Sequence, residues 1–554
     1  MAYPECPSHY DSLARVTIIM SGPGLSVKRI RSILVVTLLV ASPLVGQGVE
    51  VRDPMGGYLR LLQLGGAVDG PSMMVLPLFS PAVATAGVVG SGPWGDGPAI
   101  LRLLAREGQS VAWDVETRLF YNSGYPSWEN DGSVWRGRGL TAAFDAGGSM
   151  RWKGLEVRLR PSVRWAANSA FALAANDLPG AYEWAYPWRP IDLPQRFGPD
   201  AFWTADLGQS EIRLDAGPLA LGVSAREAWW GPGKENAIVL GNAAGGVPRG
   251  FVGSSRPLDA GLARVEWQWT VGRLKRSDWF APGTPDPGRY LTGWVVTVSP
   301  DAVLGLHVGG ALVSYGRMPE GGLSVADYLS ALLPQDTSTA DNLGSVFFRW
   351  VLPESDFEVY AEWARNDRPS GFDDFVFEPE HSQGYTLGLV KLFAWGPERR
   401  VAVATELTHL AMEGTSRLRD NPTFYAHSVA LEGYTHNGQP LGAAVGPGGI
   451  QQYLSATVYH PGGRAELWVR RRVRDNDAFY AWADTTTFDG CLYCQHDVSF
   501  TVGADVLVVH RSVETAWSGS LTRQRNRWFS GPDVWNVALA MSLRASGGRG
   551  GRDR

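Results

Sequence analysis

The chain has 554 residues, which is enough for several ordinary domains or for one large barrel. Its net charge of −5 and its charged fraction of 19% exclude the strong positive field expected of a nucleic-acid-binding protein. The 67 glycines and 23 tryptophans favour an all-β protein, because no apolar run of the mature chain is long enough for a membrane-spanning helix.

The N-terminus has the pattern of a Sec-type export signal. Basic residues at 28–31 precede an apolar run at 33–40, which is too short to span a membrane and is followed by small residues. We expect cleavage between Ala41 and Gly48. Residues 1–48 are therefore predicted to be a signal peptide with an N-terminal extension.

The next segment differs from the rest of the chain because its pattern is helical. Tyr58–Leu64 and Ile100–Arg106 are predicted to form short helices, with glycine- and proline-rich turns between them. We interpret residues 49–108 as a small N-terminal helical subdomain that plugs a larger fold.

From Ser110 onward, apolar and polar residues alternate with the period of a β-strand. The predicted strands often exceed ten residues, whereas strands of soluble proteins average about five or six. Their polar faces carry arginine and glutamate in mid-strand, which is typical of a barrel with a polar lumen and a lipid-facing apolar surface. About eighteen such strands predict a transmembrane antiparallel β-barrel over residues 109–544, followed by a disordered tail at 545–554.

The connections between these strands alternate between tight and long. Gly147-Gly148 and Pro353–Asp356 are predicted to be tight turns, and Val325–Leu333 is predicted to be a short helix in a long connection. The other long connections are predicted at 168–202, 274–290, 366–383 and 475–497. Long connections on one side and short turns on the other are typical of outer-membrane barrels, with the long side outside the cell.

The most sharply shaped stretch is Trp229-Trp230-Gly231-Pro232-Gly233, which ends a predicted strand and leads into Lys234-Glu235-Asn236. Proline fixes its own φ angle, and the flanking glycines allow backbone angles that other residues avoid. Two interpretations stay open. The turn presents aromatic faces and polar groups to a sugar, or it is a strand end at a membrane interface, where tryptophan is enriched.

The remaining sequence carries no catalytic signature. Neither His-Glu-x-x-His nor Gly-x-Ser-x-Gly is present, and no phosphate-binding loop is found. Cys491 and Cys494 are the two cysteines expected in the exported chain, and we predict a small loop disulfide between them. A zinc site would need more ligands than these cysteines and His496 supply. We therefore predict no enzyme activity, no metal and no cofactor.

Several motifs occur in the order found in a known family. They are Trp229–Gly233, Glu362–Asp367, Glu378–His381, Tyr434-x-His436 with Pro440–Gly442 and Gly446–Gly448, and Arg470–Asp477. Together they resemble the Wzi family of capsule-assembly outer-membrane proteins, over residues 58–543. The resemblance implies an eighteen-stranded outer-membrane barrel with an N-terminal helical piece, which acts as a lectin and holds capsular or other surface polysaccharide on the cell. Gly241–Ala244 departs from the Ser-Asn-Asn-Ala-like stretch of the family.

We therefore predict a non-enzymatic, polysaccharide-binding protein in the outer membrane, in contact with membrane lipid. Aromatic faces for sugar rings are expected from Trp229, Trp230 and Tyr434. Hydrogen bonds to the sugar are expected from Lys234, Glu235, Asn236, Asn242, His436 and Asn437. The main alternative is a porin or diffusion channel whose strand arginines line a conducting pore. An outer-membrane hydrolase and a soluble exported β-propeller or sandwich are further alternatives.

Overall fold

The computed structural model describes residues 54–77, 79, 92–94, 110–127, 129–176, 183–281, 284, 286–328, 340–367, 371–414, 419, 422–428, 430–482, 495–510, 512–529 and 531–550. The signal region, the predicted helix at 100–106 and the predicted disulfide between Cys491 and Cys494 lie outside these residues. The described helices are α1 (Pro54–Leu64), α2 (Val325–Tyr328), α3 (Phe372–Phe377) and α4 (Asn476–Trp482). Within this part of the chain, no helix is long and apolar enough to span a membrane.

Most of the described chain is β-structure. In chain order the strands are β1 (Val75–Leu76), β2 (Ser110–Asn122), β3 (Gly139–Trp152), β4 (Leu155–Leu159), β5 (Ser162–Ala166), β6 (Phe202–Asp206), β7 (Glu211–Ala216), β8 (Leu219–Ser224), β9 (Trp229–Trp230), β10 (Arg249–Ser254), β11 (Leu258–Asp259), β12 (Ala263–Leu274), β13 (Arg289–Pro300), β14 (Leu306–Arg317), β15 (Ala340–Leu352), β16 (Phe357–Arg365), β17 (Gln383–Ala394), β18 (Arg400–His409), β19 (Thr435–His436), β20 (Gln439–Pro440), β21 (Ile450–His460), β22 (Gly463–Val473), β23 (Val498–His510), β24 (Val513–Arg525) and β25 (Val534–Gly550).

All of these strands except β1, β9, β19 and β20 close into one antiparallel barrel. β2 pairs with β3 on one side and with β25 on the other, so the last strand of the chain closes the sheet on the first. Three barrel strands are each interrupted once, as β4–β5, β6–β7 and β10–β11. With each of these pairs taken as one strand, the described residues form the eighteen-stranded barrel that the sequence predicted.

The two faces of the barrel differ as predicted. On β2, Leu119 and Tyr121 point outward and are 39% and 44% exposed, while Asp114 and Arg118 point into the lumen and are buried. Inside, Arg118 forms an ion pair with Asp145 of β3, with 2.8 Å between Nη2 and Oδ2. An apolar exterior around a charged, hydrogen-bonded interior is the arrangement of a membrane-spanning barrel.

One of the two predicted tight turns is wrong. Residues Pro353–Ser355 do form a single helical turn between β15 and β16, and Asp356 follows with a φ of 49°. Gly147 and Gly148, however, lie inside β3. A Cβ on Gly147 would lie 2.1 Å from the Leu159 carbonyl oxygen, so glycine is needed there because β3 passes closely over the break between β4 and β5.

The C-terminal strand also extends further than predicted. We expected it to end at Arg544, but β25 continues to Gly550. Ala545–Gly550 pair with Ser110–Val115 of β2, so the neighbouring strand supplies backbone partners that a disordered tail would lack. Only residues 551–554 of the predicted tail lie outside the described chain.

Helix α1 packs inside the barrel near its short turns. Tyr58 and Leu62 are buried in a cluster with Leu392 of β17 and Tyr459 of β21, both of which lie near the short-turn ends of their strands. The interpretation of residues 49–108 as a subdomain that plugs the barrel stays a prediction. The opposite end of the barrel carries the long connections and is the extracellular end in barrels of this type.

Candidate functional site

The connection from β8 to β10, residues 225–248, lies inside the barrel, and we call it the lumen segment. Within it, β9 pairs with β1, which places Trp229 opposite Leu76 and Trp230 opposite Val75. Trp229 is 6% exposed and Trp230 is 1% exposed. The two tryptophans are therefore part of the interior packing and not a surface for a ligand.

The barrel wall is shaped to hold Trp230. Gly293 of β13 faces its ring, and a Cβ on Gly293 would lie 2.9 Å from two ring carbons. The Trp230 amide donates to the Leu240 carbonyl at 2.8 Å. Gly231 follows with a φ of 138°, which a residue with a side chain rarely adopts, and its amide donates to the Met74 carbonyl at 2.8 Å.

The turn that follows is anchored by a carboxylate of the barrel wall. Three consecutive amides, those of Lys234, Glu235 and Asn236, donate to the carboxylate of Glu406 on β18 at 2.6, 3.1 and 2.9 Å. Successive amides that converge on one anion form a nest, and here the anion belongs to the protein itself. Tyr360 of β16 donates to the same carboxylate at 2.8 Å.

Two cations fix the same turn. Lys234 Nζ lies 2.8 Å from Glu466 Oε1 and 3.0 Å from Ser455 Oγ. Arg60 of α1 donates from Nη1 to the Pro232 carbonyl at 2.8 Å and also pairs with Glu358 of β16. The Gly-Pro-Gly turn is thus held between α1 and the barrel wall.

The predicted residues after β18 lie in a short hairpin formed by β19 and β20. Tyr434 is fully buried and packs against Tyr315, with ring centroids 5.0 Å apart. His436 accepts a hydrogen bond from the Lys275 amide at 3.1 Å, and burial lowers the pKa of His436 to about 3. Asn437, at the tip of the hairpin with a φ of 51°, is exposed.

Most of the residues predicted to contact sugar are buried. Trp229, Trp230, Asn236, Asn242, Tyr434 and His436 are at most 6% exposed. Their rings and polar groups are turned to other parts of the chain, because a long segment folded into a lumen must satisfy its own backbone and pack its own side chains. Lys234 and Glu235 are partly exposed and Asn437 is exposed, so these three stay candidates for contact with a ligand.

A cavity of about 70 Å³ lies at the long-loop end of the lumen. Arg470 and Arg472 point into it from β22, and Arg474 continues the same side beyond the strand end. Its other walls come from five connections or strand ends, through Tyr125, Pro126, Ser127, Glu129, Tyr186, Leu193, Pro440, Ala444, Val445, Gly446, Pro447, Asp497, Ser499, Thr501, Thr522 and Gln524. The space holds a few water molecules, or one polar substituent of a larger ligand.

The arginines of this cavity are unequally neutralised. Arg470 pairs with Glu129, and Arg474 lies 3.8 Å from Asp497. Arg472 donates to the amide oxygen of Gln451 at 2.8 and 3.0 Å, and within the described part of the chain it forms no ion pair. The cavity therefore presents a cation, Arg472, that makes no ion pair of its own among the described residues, because the carboxylate of Glu129 pairs with Arg470.

The pKa values of two neighbouring loop carboxyls follow from the same charges. Burial raises the pKa of Glu235 to about 8, with Lys234 opposing and Glu406 adding to the rise. Burial also acts on Glu129, but Arg470 and Arg472 outweigh it and hold the pKa of Glu129 at about 2. Glu235, whose pKa is about 8, and Glu129, which is ionised at neutral pH, thus both lie close to Arg470.

One wall of this cavity has a pattern in the sequence, which by itself is interpreted as a family motif and, for Arg470 and Arg472, as the lining of a pore. Arginine at 470, 472 and 474 keeps the period of a strand, so the three side chains belong on one face. This alternation does not predict that loop residues from distant parts of the sequence cover that face. No group of three or more metal-binding side chains lies together in the part of the chain that the structure describes.

Comparisons with known proteins agree with this architecture. The sequence model of the family "Capsule assembly protein Wzi" matches residues 125–516, which is more than half of the chain. Among solved structures, the chain is similar to Wzi of Escherichia coli, with a TM-score of 0.61, 13% identity, and coverage of 90% of this chain and 99% of that one. That protein is described as an outer-membrane protein involved in group 1 capsule assembly and as a carbohydrate-binding β-barrel.

Other barrels are more distant. OccK7 and OpdQ of Pseudomonas aeruginosa have TM-scores of 0.39 and 0.37, identities of 10% and 9%, and each match covers 80% of this chain and all of the other. No curated protein sequence matches the chain. The family match over residues 125–516 confirms the resemblance found in the motifs, and the chain belongs to the Wzi family of capsule-assembly proteins.

Proposed function

We propose that this protein sits in the outer membrane and binds capsular or other surface polysaccharide, so that the polymer is anchored at the cell surface. The proposal extends to this chain the carbohydrate binding for which Wzi of Escherichia coli is described. We assign it no chemical step, because the arrangement favours recognition and not catalysis.

The observation that carries the proposal is the arginine-lined cavity at the long-loop end. Tyr125 and Tyr186 add aromatic surface to the arginines, although the Tyr186 hydroxyl donates to Asp475. Aromatic rings with a polar end suit a site that is apolar on one side and wet on the other. The cavity is too small for a sugar chain. We infer that the polymer lies across the long loops and directs one polar or anionic substituent toward Arg472.

Of the residues predicted to contact sugar, Glu235 and Asn437 remain available to a ligand. Glu235 is close enough to Arg470 of the cavity to feel its charge, and Asn437 is exposed at its hairpin tip. The buried residues of the lumen segment support the site from beneath by fixing the turn that carries Lys234 and Glu235. Their substitution would therefore change the fold of the site and not a direct sugar contact.

The proposal is tested by titrating the purified full-length protein with the surface polysaccharide of the cell that produces it. We expect Arg472→Gln to weaken binding about tenfold, which corresponds to the loss of one charge-assisted hydrogen-bonding group. The matched control is Arg264→Gln, which removes an arginine paired with Asp69 near the short-turn end. Equal binding by the wild type, Arg472→Gln and Arg264→Gln, or no binding by any of them, would contradict the proposal.

A further inference from the structure

The outer surface of the barrel carries a row of five residues near the long-loop end. The register of β21–β25 places Gln452, Arg471, Phe500, Arg523 and Trp535 side by side on adjacent strands. Phe500 and Trp535 are 50% and 57% exposed, so the row faces outward and not into the lumen. Arg471 lies two residues before the end of β22, and Arg523 lies two residues before the end of β24.

The next outward row, two residues closer to the middle of the barrel, is entirely apolar. It consists of Leu454, Val469, Val502, Leu521 and Val537, which are 40% to 54% exposed. A change from charged and aromatic to aliphatic residues over one row is typical of the boundary between lipid headgroups and acyl chains. The row of Arg471 and Arg523 therefore lies at headgroup level.

Positive charge predominates at this boundary. Arg523 and Arg525 share one carboxylate, that of Asp533, at distances of 3.0 and 3.8 Å. Arg471 donates to Gln452 Oε1 at 2.8 Å and has no carboxylate partner among the described residues. One aspartate does not neutralise three arginines, so the patch attracts an anion.

The spacing of the two rows suits an amphiphile. Arg471 and Arg523 are two strands apart, which is about 10 Å between their backbones, and their long side chains reach over Phe500. A shallow groove of about 730 Å³ runs over the patch and includes Leu454, Val469, Val502, Leu521 and Trp535 in its lining. Guanidinium groups bind phosphate through paired hydrogen bonds, and aliphatic rows accept acyl chains.

We propose that this patch is a binding site for a phosphorylated lipid of the outer leaflet. The phosphate lies between Arg471 and Arg523, and the acyl chains lie along the aliphatic row. The site is separate from the glycan site, since Arg471 faces outward whereas Arg470 and Arg472 face the lumen. It would place an anionic lipid against the strand that carries the cavity arginines.

The test uses the purified full-length protein in detergent and diphosphorylated lipid A as the probe, with bound lipid counted by native mass spectrometry. We expect the variant Arg471→Gln/Arg523→Gln to bind the probe about 30-fold more weakly, because each arginine near an anionic group contributes to the affinity and both are lost. Lys391→Gln is the control, because Lys391 is an outward-facing cation of β17 at the short-turn end. The control is expected to bind as the wild type does.

Two further arms identify what is recognised. Dephosphorylated lipid A is expected to bind equally weakly to the wild type and the double variant, and inorganic phosphate alone is expected not to compete at millimolar concentration. Arg471→Lys/Arg523→Lys retains the charges and is expected to bind with intermediate affinity, which keeps the test valid if the glutamine variant does not fold. Equal binding of lipid A by the wild type and the lysine and glutamine variants overturns the proposal, as does equal binding of free phosphate.

Discussion

At the scale of single residues, strand carboxylates are used to hold an internal segment in place. Glu406 accepts hydrogen bonds from three consecutive amides of the lumen segment, and Glu362 accepts one from the Ile238 amide at 3.0 Å. Buried backbone amides need partners, and a lumen lined by carboxylates supplies them where no second strand is available. Glu362 and Glu406 therefore occur in mid-strand because they bind backbone amides of the lumen segment.

The titration of Glu235 gives a pH dependence. Its pKa is raised to about 8 in the folded protein by burial and by Glu406, against the opposing charge of Lys234, while Glu129 and Arg470 are further charged neighbours. Because the unfolded carboxyl ionises near its ordinary pKa of about 4.3, the stability that the neutral form provides is present below that value and is lost as the pH rises to about 8.

We therefore expect the wild-type protein to lose stability between pH 5 and pH 8, and Glu235→Gln to lose less over the same range. The midpoint of urea unfolding in detergent, measured at both pH values, checks this. Asp69→Asn is the control, since Asp69 is exposed near the short-turn end. An unchanged pH dependence in Glu235→Gln would contradict the assignment.

At the scale of elements, α1 and the lumen segment stabilise each other. Arg60 reaches from α1 to the Pro232 carbonyl and to Glu358, and β1 pairs with β9. Glu358 is also paired with Arg349 at 2.7 Å, so the carboxylate keeps one partner when Arg60 is removed. The helix and the turn are therefore coupled through Arg60, which a carboxylate of the barrel wall holds in place.

We expect Arg60→Gln to lower the free energy of unfolding by about 2 kcal/mol, because hydrogen bonds to a charged group at a mostly buried site are lost. Chemical denaturation followed by tryptophan fluorescence measures this change. Arg400→Gln serves as the comparison, since its hydrogen bonds stay within its own short turn. Equal stabilities of the two variants would show that α1 is not coupled to the turn in this way.

At the scale of the whole molecule, packed side chains fill much of the lumen along the described chain. The lumen segment and the connection before β21 contribute Trp230, Ile238, Tyr425 and Tyr434 to one buried cluster with strands β13–β16. A second cluster surrounds α1 near the short turns. Eighteen strands alone would enclose a water-filled channel, as in porins.

Because of this packing, we expect the protein to conduct ions poorly, contrary to the porin alternative. In planar bilayers the wild-type protein should conduct far less than an open barrel of similar strand number recorded under the same conditions. Single-channel recording makes the measurement, and an open-porin preparation shows that the bilayers are competent. A large and steady conductance by the wild type would contradict the filled lumen and favour a diffusion channel.

Much of the fold could be predicted from the sequence. Period-two alternation on β2, with Leu119 facing lipid and Arg118 facing the lumen, depends only on the local chain and the solvent on each side. The same locality explains the alternating tight and long connections. It also explains one error, since Gly147-Gly148 has the composition of a turn and only the approach of β4 and β5 shows why glycine stands inside β3.

The site could be predicted only in part. The sequence by itself determined the barrel, the strand faces, the family motif at Trp229–Gly233 and the inward period of Arg470 and Arg472. The tertiary structure alone decided that Trp230 is core, that Glu406 holds the following turn, and which arginine has no ion pair among the described residues. Local pattern sets which way a side chain points, whereas its partners come from strands that are hundreds of residues away and meet only when the barrel closes.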